Sequence, residues 1–118
     1  MDFDVAIIAH TRWKENLRKS ASGGTAIDVA ALSRDDGCDL GKYLRTATPA
    51  EQALPEFATL RQRHTQFHKV AAETARAVPG KSAKDVESLI DSRSQFGLAS
   101  AGCVTAIAAL RDRQRRGH

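Results

Sequence analysis

The sequence predicts an all-α protein, a bundle of three long helices and one short one. Two observations carry this. Apolar residues recur at three- and four-residue steps through most of the chain, and the breaks between those stretches carry helix-cap signatures. No segment alternates apolar and polar side chains as a half-buried strand does.

The first element runs from Asp2 to about Ser20. Phe3, Ala6, Ile7, His10, Trp13 and Leu17 form one stripe along it, with a histidine at its centre. SASGG at 20–24 ends it, since glycine takes the left-handed turn that closes a helix. TAIDVAALSRDDG is less regular and is read as one short turn of helix. CDLGKYLRTA at 38–47 reads as a short helix beginning near its cysteine. TPAE at 48–51 is a helix start, with Thr48 as cap, Pro49 in the first position and Glu51 reaching back. Pro55 restarts the segment, and Phe57, Leu60, His64, Phe67, Ala71, Ala75 and Val78 trace a second stripe. PGKS at 79–82 breaks the chain, and Ser82 with Asp85 repeats the capping spacing. The last helix is expected from about Ala83 to Arg113, with Val86, Leu89, Ile90, Phe96, Val104, Ile107 and Leu110 on its apolar side.

A chain of 118 residues with 42% apolar and 27% charged residues fits one soluble domain. No apolar run approaches the roughly 20 residues that span a bilayer. The start, MDFDVAII, has acids where a secretory signal has basic residues, so a cytoplasmic location is expected. The net charge is +4, and four arginines of it lie in RDRQRRGH at 111–118. This tail is read as a solvated, frayed helix end whose charge complements the helix dipole. A nucleic-acid contact is disfavoured because no basic, aromatic face accompanies it.

The residues that carry chemistry are histidines and cysteines. HTQFH at 64–68 places two imidazoles four apart on one helix, on its apolar side. His10 also sits mid-stripe. Buried imidazoles need partners for both nitrogens, and one shared cation serves three of them. Cys38, at a helix start, supplies a sulfur where the dipole favours the thiolate. Three imidazoles and one thiolate suit Zn²⁺ better than Mg²⁺ or Ca²⁺. Cys103, inside the last helix between Gly102 and Val104, is expected to pack as a small hydrophobe. His118, the final residue, is a poor ligand candidate.

HTRW (10–13), CDLGKYL (38–44) and HTQFH (64–68), in that order, resemble the chemoreceptor zinc-binding domain, or CZB, family. Its pattern is His followed three residues on by Trp, then Cys-x-x-Gly-x-Trp, then His-x-x-x-His. Tyr43 stands where the family usually has Trp. The resemblance spans about Phe3 to Leu110 and implies an antiparallel four-helix bundle with an additional short helix carrying the cysteine. It implies zinc held by His10, Cys38, His64 and His68, with Trp13, Gly41 and Tyr43 as a supporting wall. It further implies a homodimeric bacterial sensor, without a membrane span of its own. Such a sensor works with a chemoreceptor or diguanylate cyclase output module and responds to zinc or, through Cys38, to oxidants such as hypochlorous acid.

A four-ligand zinc is closed to water, so catalysis is not expected. Two other readings stay open: a purely structural zinc-stabilised adaptor, and a metal-dependent enzyme using Cys38 as nucleophile.

Overall fold

The computed structural model of the chain describes residues 1–24 and 26–116. Among these it contains eight helices and no strand: α1 (Phe3–Thr11), α2 (Trp13–Ala21), α3 (Val29–Leu32), α4 (Asp39–Thr46), α5 (Pro49–Gln52), α6 (Pro55–Ala77), α7 (Ala83–Ile90) and α8 (Gln95–Arg116). The expected all-α class is what the structure shows. His118 lies outside the described residues.

The helix starts follow the side chains. Asp2 accepts the Val5 amide at 3.1 Å, and Asp28 accepts that of Ala31 at 3.1 Å. Thr48 and Glu51 form a full capping box around Pro49, and Ser82 caps α7. At the end of α2 the amide of Gly24 bonds back to the Lys19 carbonyl at 2.8 Å while Gly23 takes φ 87°, the left-handed closing turn.

Two expected helices are each divided. The first is divided only at Arg12, which keeps right-handed helical backbone, donates to the Ile8 carbonyl at 3.0 Å and accepts from the Asn16 amide at 3.1 Å. The expected helix from Ala83 to Arg113 is interrupted at residues 91–94. There the Asp91 carboxylate accepts the Arg93 and Ser94 amides, and Ser94 then caps α8.

The long helices pack in antiparallel pairs. α6 against α8 is the most extensive contact, with Phe67 meeting Phe96 at 5.9 Å between ring centroids. α1 lies on α8, its Asp4 paired with Arg111 at 2.7 Å and Arg115 at 3.2 Å near the end of that helix. The basic stretch expected to fray therefore continues α8 to Arg116 and is tied to the start of α1. α2 lies beside α7, and the short α3, α4 and α5 are laid along α6. Phe57, Leu60, Phe67, Leu17, Leu40, Phe96, Ile107 and Leu110 form the dry centre, each at most 2% exposed. Cys103 is wholly buried among them, as expected of a small hydrophobe. No described helix is long and apolar enough to cross a membrane.

Candidate metal centre

Three elements converge beside this core. His10 comes from the last turn of α1, His64 and His68 from successive turns of α6, and Cys38 is the N-cap of α4. The imidazoles are buried, at 3%, 1% and 4% exposure, and the sulfur is half-buried. One donor atom from each of the four lies within 4.8 Å of all the others.

The closest approaches are Cys38 Sγ to His64 Nε2 at 3.2 Å, Cys38 Sγ to His68 Nε2 at 3.6 Å, and the two Nε2 atoms at 3.0 Å. Zinc–nitrogen and zinc–sulfur bonds of usual length give tetrahedral edges of about 3.3 Å and 3.6 Å. The observed edges fall within a few tenths of an ångström of that figure. His10 stands edge-on to His64 and His68, with ring centroids 5.2 and 5.8 Å away.

Backbone carbonyls fix the orientation of two rings. His10 Nδ1 donates to the Ala6 carbonyl at 2.7 Å, and His68 Nδ1 donates to the Leu32 carbonyl at 2.8 Å. Each bond leaves Nε2 as the basic nitrogen, the arrangement in which a histidine serves as a metal ligand. Burial lowers the pKa of all three imidazoles. For His64, burial and then its neighbours His68 and His10 bring it down to about 3. These rings are neutral at physiological pH, the ligating form.

Cys38 is positioned by a tight bend. Its sulfur accepts the Gly41 amide at 3.4 Å, and the Asp35 carboxylate takes the Thr65 hydroxyl, pinning the bend to α6 between the two histidines. A side chain at 41 is impossible without rearrangement, because a Cβ there would lie 1.8 Å from the Asp35 carbonyl oxygen. Burial pushes the Cys38 thiol above its ordinary value, against the Gly41 and Leu40 amides that favour the thiolate. The helix start alone therefore does not ionise the sulfur as its position suggested. A thiolate here calls for a cation beside it.

Trp13 lines, with Ala9, Ile27 and Ala31, a cleft of about 400 Å³ that opens onto Cys38, His10 and His68. Tyr43 is placed differently from the wall expected of it. Its ring packs on Phe3 at 5.6 Å and Phe57 at 6.2 Å, and its hydroxyl reaches Glu51 and Gln114. Sequence reasoning missed the two carbonyl anchors, which leave no trace in residue type, and the Asp35–Thr65 tether. Thr65 lies within the HTQFH motif itself, the one place a hint existed.

A family model of the chemoreceptor zinc-binding domain matches residues 10–75, more than half of the chain. The chain belongs to this family. Comparisons with curated proteins and with solved structures gave no significant match. The matched stretch begins at His10 and includes Cys38, His64 and His68. Zinc is the metal that family membership and the three-imidazole, one-sulfur set support together. CZB is a zinc-binding signalling family rather than a catalytic one.

Proposed function

We propose that this CZB domain is a cytoplasmic sensor in which His10, Cys38, His64 and His68 hold one zinc ion. The observation that carries this reading is the convergence of those donors, from three separate elements, within 4.8 Å. When bound, zinc supplies a tetrahedral link that ties α1, α4 and α6 together and adds its binding free energy to the fold. Four protein donors leave no coordination position for a substrate water, which favours sensing over hydrolysis. We further read the arrangement as an antiparallel four-helix bundle to which α4, the short helix that carries the cysteine ligand at its start, is additional.

Cys38 is the proposed sensory atom. It is the one donor of the four that is only half-buried, and the cleft beside Trp13 gives small molecules a route to it. Hypochlorous acid oxidises the sulfur by two electrons to the sulfenic acid and leaves as chloride. A sulfenic acid is a far weaker donor than a thiolate, so α4 loses its tie to α6 and moves. The output goes to a chemoreceptor or diguanylate cyclase module, in the same chain or another, and so to chemotaxis or cyclic-di-GMP signalling.

The test is zinc content before and after one equivalent of hypochlorous acid, in the wild-type protein and in Cys38→Ser. One zinc per chain, released on oxidation, is expected of the wild type. Cys38→Ser is expected to bind zinc at least about 100-fold more weakly, since even outer partners of metal ligands are worth 10- to 100-fold. An unchanged oxidant response in Cys38→Ser rules out the thiolate route. Zinc retained through oxidation of the wild type favours a purely structural adaptor instead.

We further propose that the domain pairs as a homodimer. Val5 and Ile8 form an exposed apolar stripe on α1, at 55% and 48% exposure, with Met1 just before the helix at 47%, and Leu98 on α8 is 64% exposed. No charged residue occurs between Gln95 and Leu110 of α8. A helix uncharged on every side is normally covered. Val5→Glu combined with Ile8→Glu is expected to give monomers in sedimentation experiments, and an unchanged dimer excludes the α1 face.

A further inference from the structure

At the opposite end of α4 from Cys38, three polar side chains from three helices close a ring. The Tyr43 hydroxyl donates to Glu51 Oε2, and Gln114 Nε2 donates both to the Tyr43 oxygen at 3.0 Å and to Glu51 Oε2 at 2.9 Å. The other Glu51 oxygen is held by the Thr48 amide and hydroxyl at 3.3 and 3.1 Å. Burial and the neighbouring Glu51 carboxylate push the Tyr43 phenol up to about 12, so it keeps its proton. Phenol suits this place because it donates and accepts together.

We infer that Tyr43 and Gln114 form a latch joining the cysteine-bearing helix to the last turns of α8, so that the state of the metal centre is felt at that end of the molecule. α4 is only eight residues long, and its buried side consists of Leu40, Gly41 and Leu44. It is anchored by Cys38 at its start and by Tyr43 five residues on. A shift at the sulfur therefore carries the hydroxyl with it. Gln114 lies between Arg111 and Arg115, both paired with Asp4, and Phe3 stands edge-on to the Tyr43 ring. The start of α1 and the end of α8 thus meet at the latch, and an output module continuing either helix would be moved by it. The inference rests on the four-donor zinc reading, and it makes Tyr43 and Gln114 positioning residues.

Linkage makes the coupling reciprocal, so breaking the latch must weaken zinc binding. The experiment compares wild type, Tyr43→Phe, Gln114→Leu and the double variant, with Arg113→Ala, exposed in the same region of α8, as control. Zinc affinity is read by chelator competition, and amide exchange over residues 110–116 is read with and without zinc. Tyr43→Phe keeps the ring between Phe3 and Phe57, which preserves the fold.

Each single variant is expected to lower zinc affinity about 3- to 10-fold, the worth of one or two hydrogen bonds. The double variant should fall no further than the weaker single, and the control should not change. Zinc removal should speed exchange at residues 110–116 about fivefold in the wild type and less than about twofold in Tyr43→Phe. A wild type that binds one zinc, with both single variants within about twofold of its affinity, overturns the latch and leaves the metal centre standing. A wild type that binds no zinc overturns both.

Discussion

Residues 35–41 and 91–97 make nearly the same bend, and only one of them meets the histidines. In each, an aspartate carbonyl is overrun by a glycine six residues later, with a Cβ placed 1.8 Å from it at Gly41 and 2.0 Å at Gly97. In each, a plug residue before that glycine enters the core: Leu40 at 1% exposure and Phe96 at 2%. In each, the residue three before the glycine caps a helix. Ser94 does so well, accepting the Gly97 amide at 3.0 Å and donating to the Asp91 carbonyl at 2.7 Å. Cys38 does it with sulfur, a weaker acceptor and donor, at the longer distances sulfur takes, 3.4 and 3.9 Å.

Serine is the better capping residue for this turn, so capping does not account for a cysteine at 38. The carboxylates differ too. Asp91 folds back onto the Arg93 and Ser94 amides and closes its own turn, whereas Asp35 reaches out to Thr65 on α6. One bend is self-sufficient. The other directs both its sulfur and its carboxylate toward α6, which is what a metal-dependent element requires.

The largest effects are expected where the bends agree. Gly41→Ala and Gly97→Ala each drive a methyl group into a backbone carbonyl, and each should cost about 3 kcal/mol or more in urea unfolding. They should then part company. Gly41→Ala displaces the Cys38 turn and abolishes stoichiometric zinc binding, while Gly97→Ala leaves zinc at one per chain. Equal zinc loss in both variants would mean that the site follows global stability rather than the geometry of one bend.

Removing the metal should separate the two bends next most clearly. Chelation is expected to raise amide exchange over residues 36–46 by about tenfold or more while residues 92–98 change less than about twofold. The asymmetry follows from where the polar anchors lie: within the turn at Asp91, and across to α6 at Cys38 and Asp35. Unchanged exchange at 36–46 would show that Leu40, Leu44 and the Thr65 tether hold α4 without zinc.

The same contrast explains what could be read from the chain unaided. His64 and His68 were legible because helical spacing and an apolar stripe together dictate where two rings point. Cys38 was legible because it opens a short amphipathic stretch. The break at 91–94 was not, since Ile90 and Phe96 enter the same core on either side of it and the apolar periodicity runs across the bend. The DSRS stretch was the available signal, a polar run dense in capping residues. Tyr43 was assigned to the wall of the site because it stands at the family motif's Trp position, and its place on α4 turns its ring toward Phe3 and Phe57. The attachment of Arg111 and Arg115 to Asp4 joins residues more than a hundred positions apart, which no local pattern encodes.

The smallest expected effect tests whether a sulfur in this turn is enough to make a site. Ser94→Cys places the Cys38 chemistry in the Asp91 bend and should cost under about 1 kcal/mol, because sulfur caps less well but the Asp91 carboxylate still holds the turn. It should bind no second zinc, since the three described histidines converge on Cys38. Two zinc ions per chain in Ser94→Cys would mean that a thiol and nearby carboxylates suffice, and the convergence of imidazoles from α1 and α6 would lose its standing as the deciding feature. One zinc, with affinity unchanged, would assign specificity to the partners of the sulfur and leave the bend only the task of aiming it.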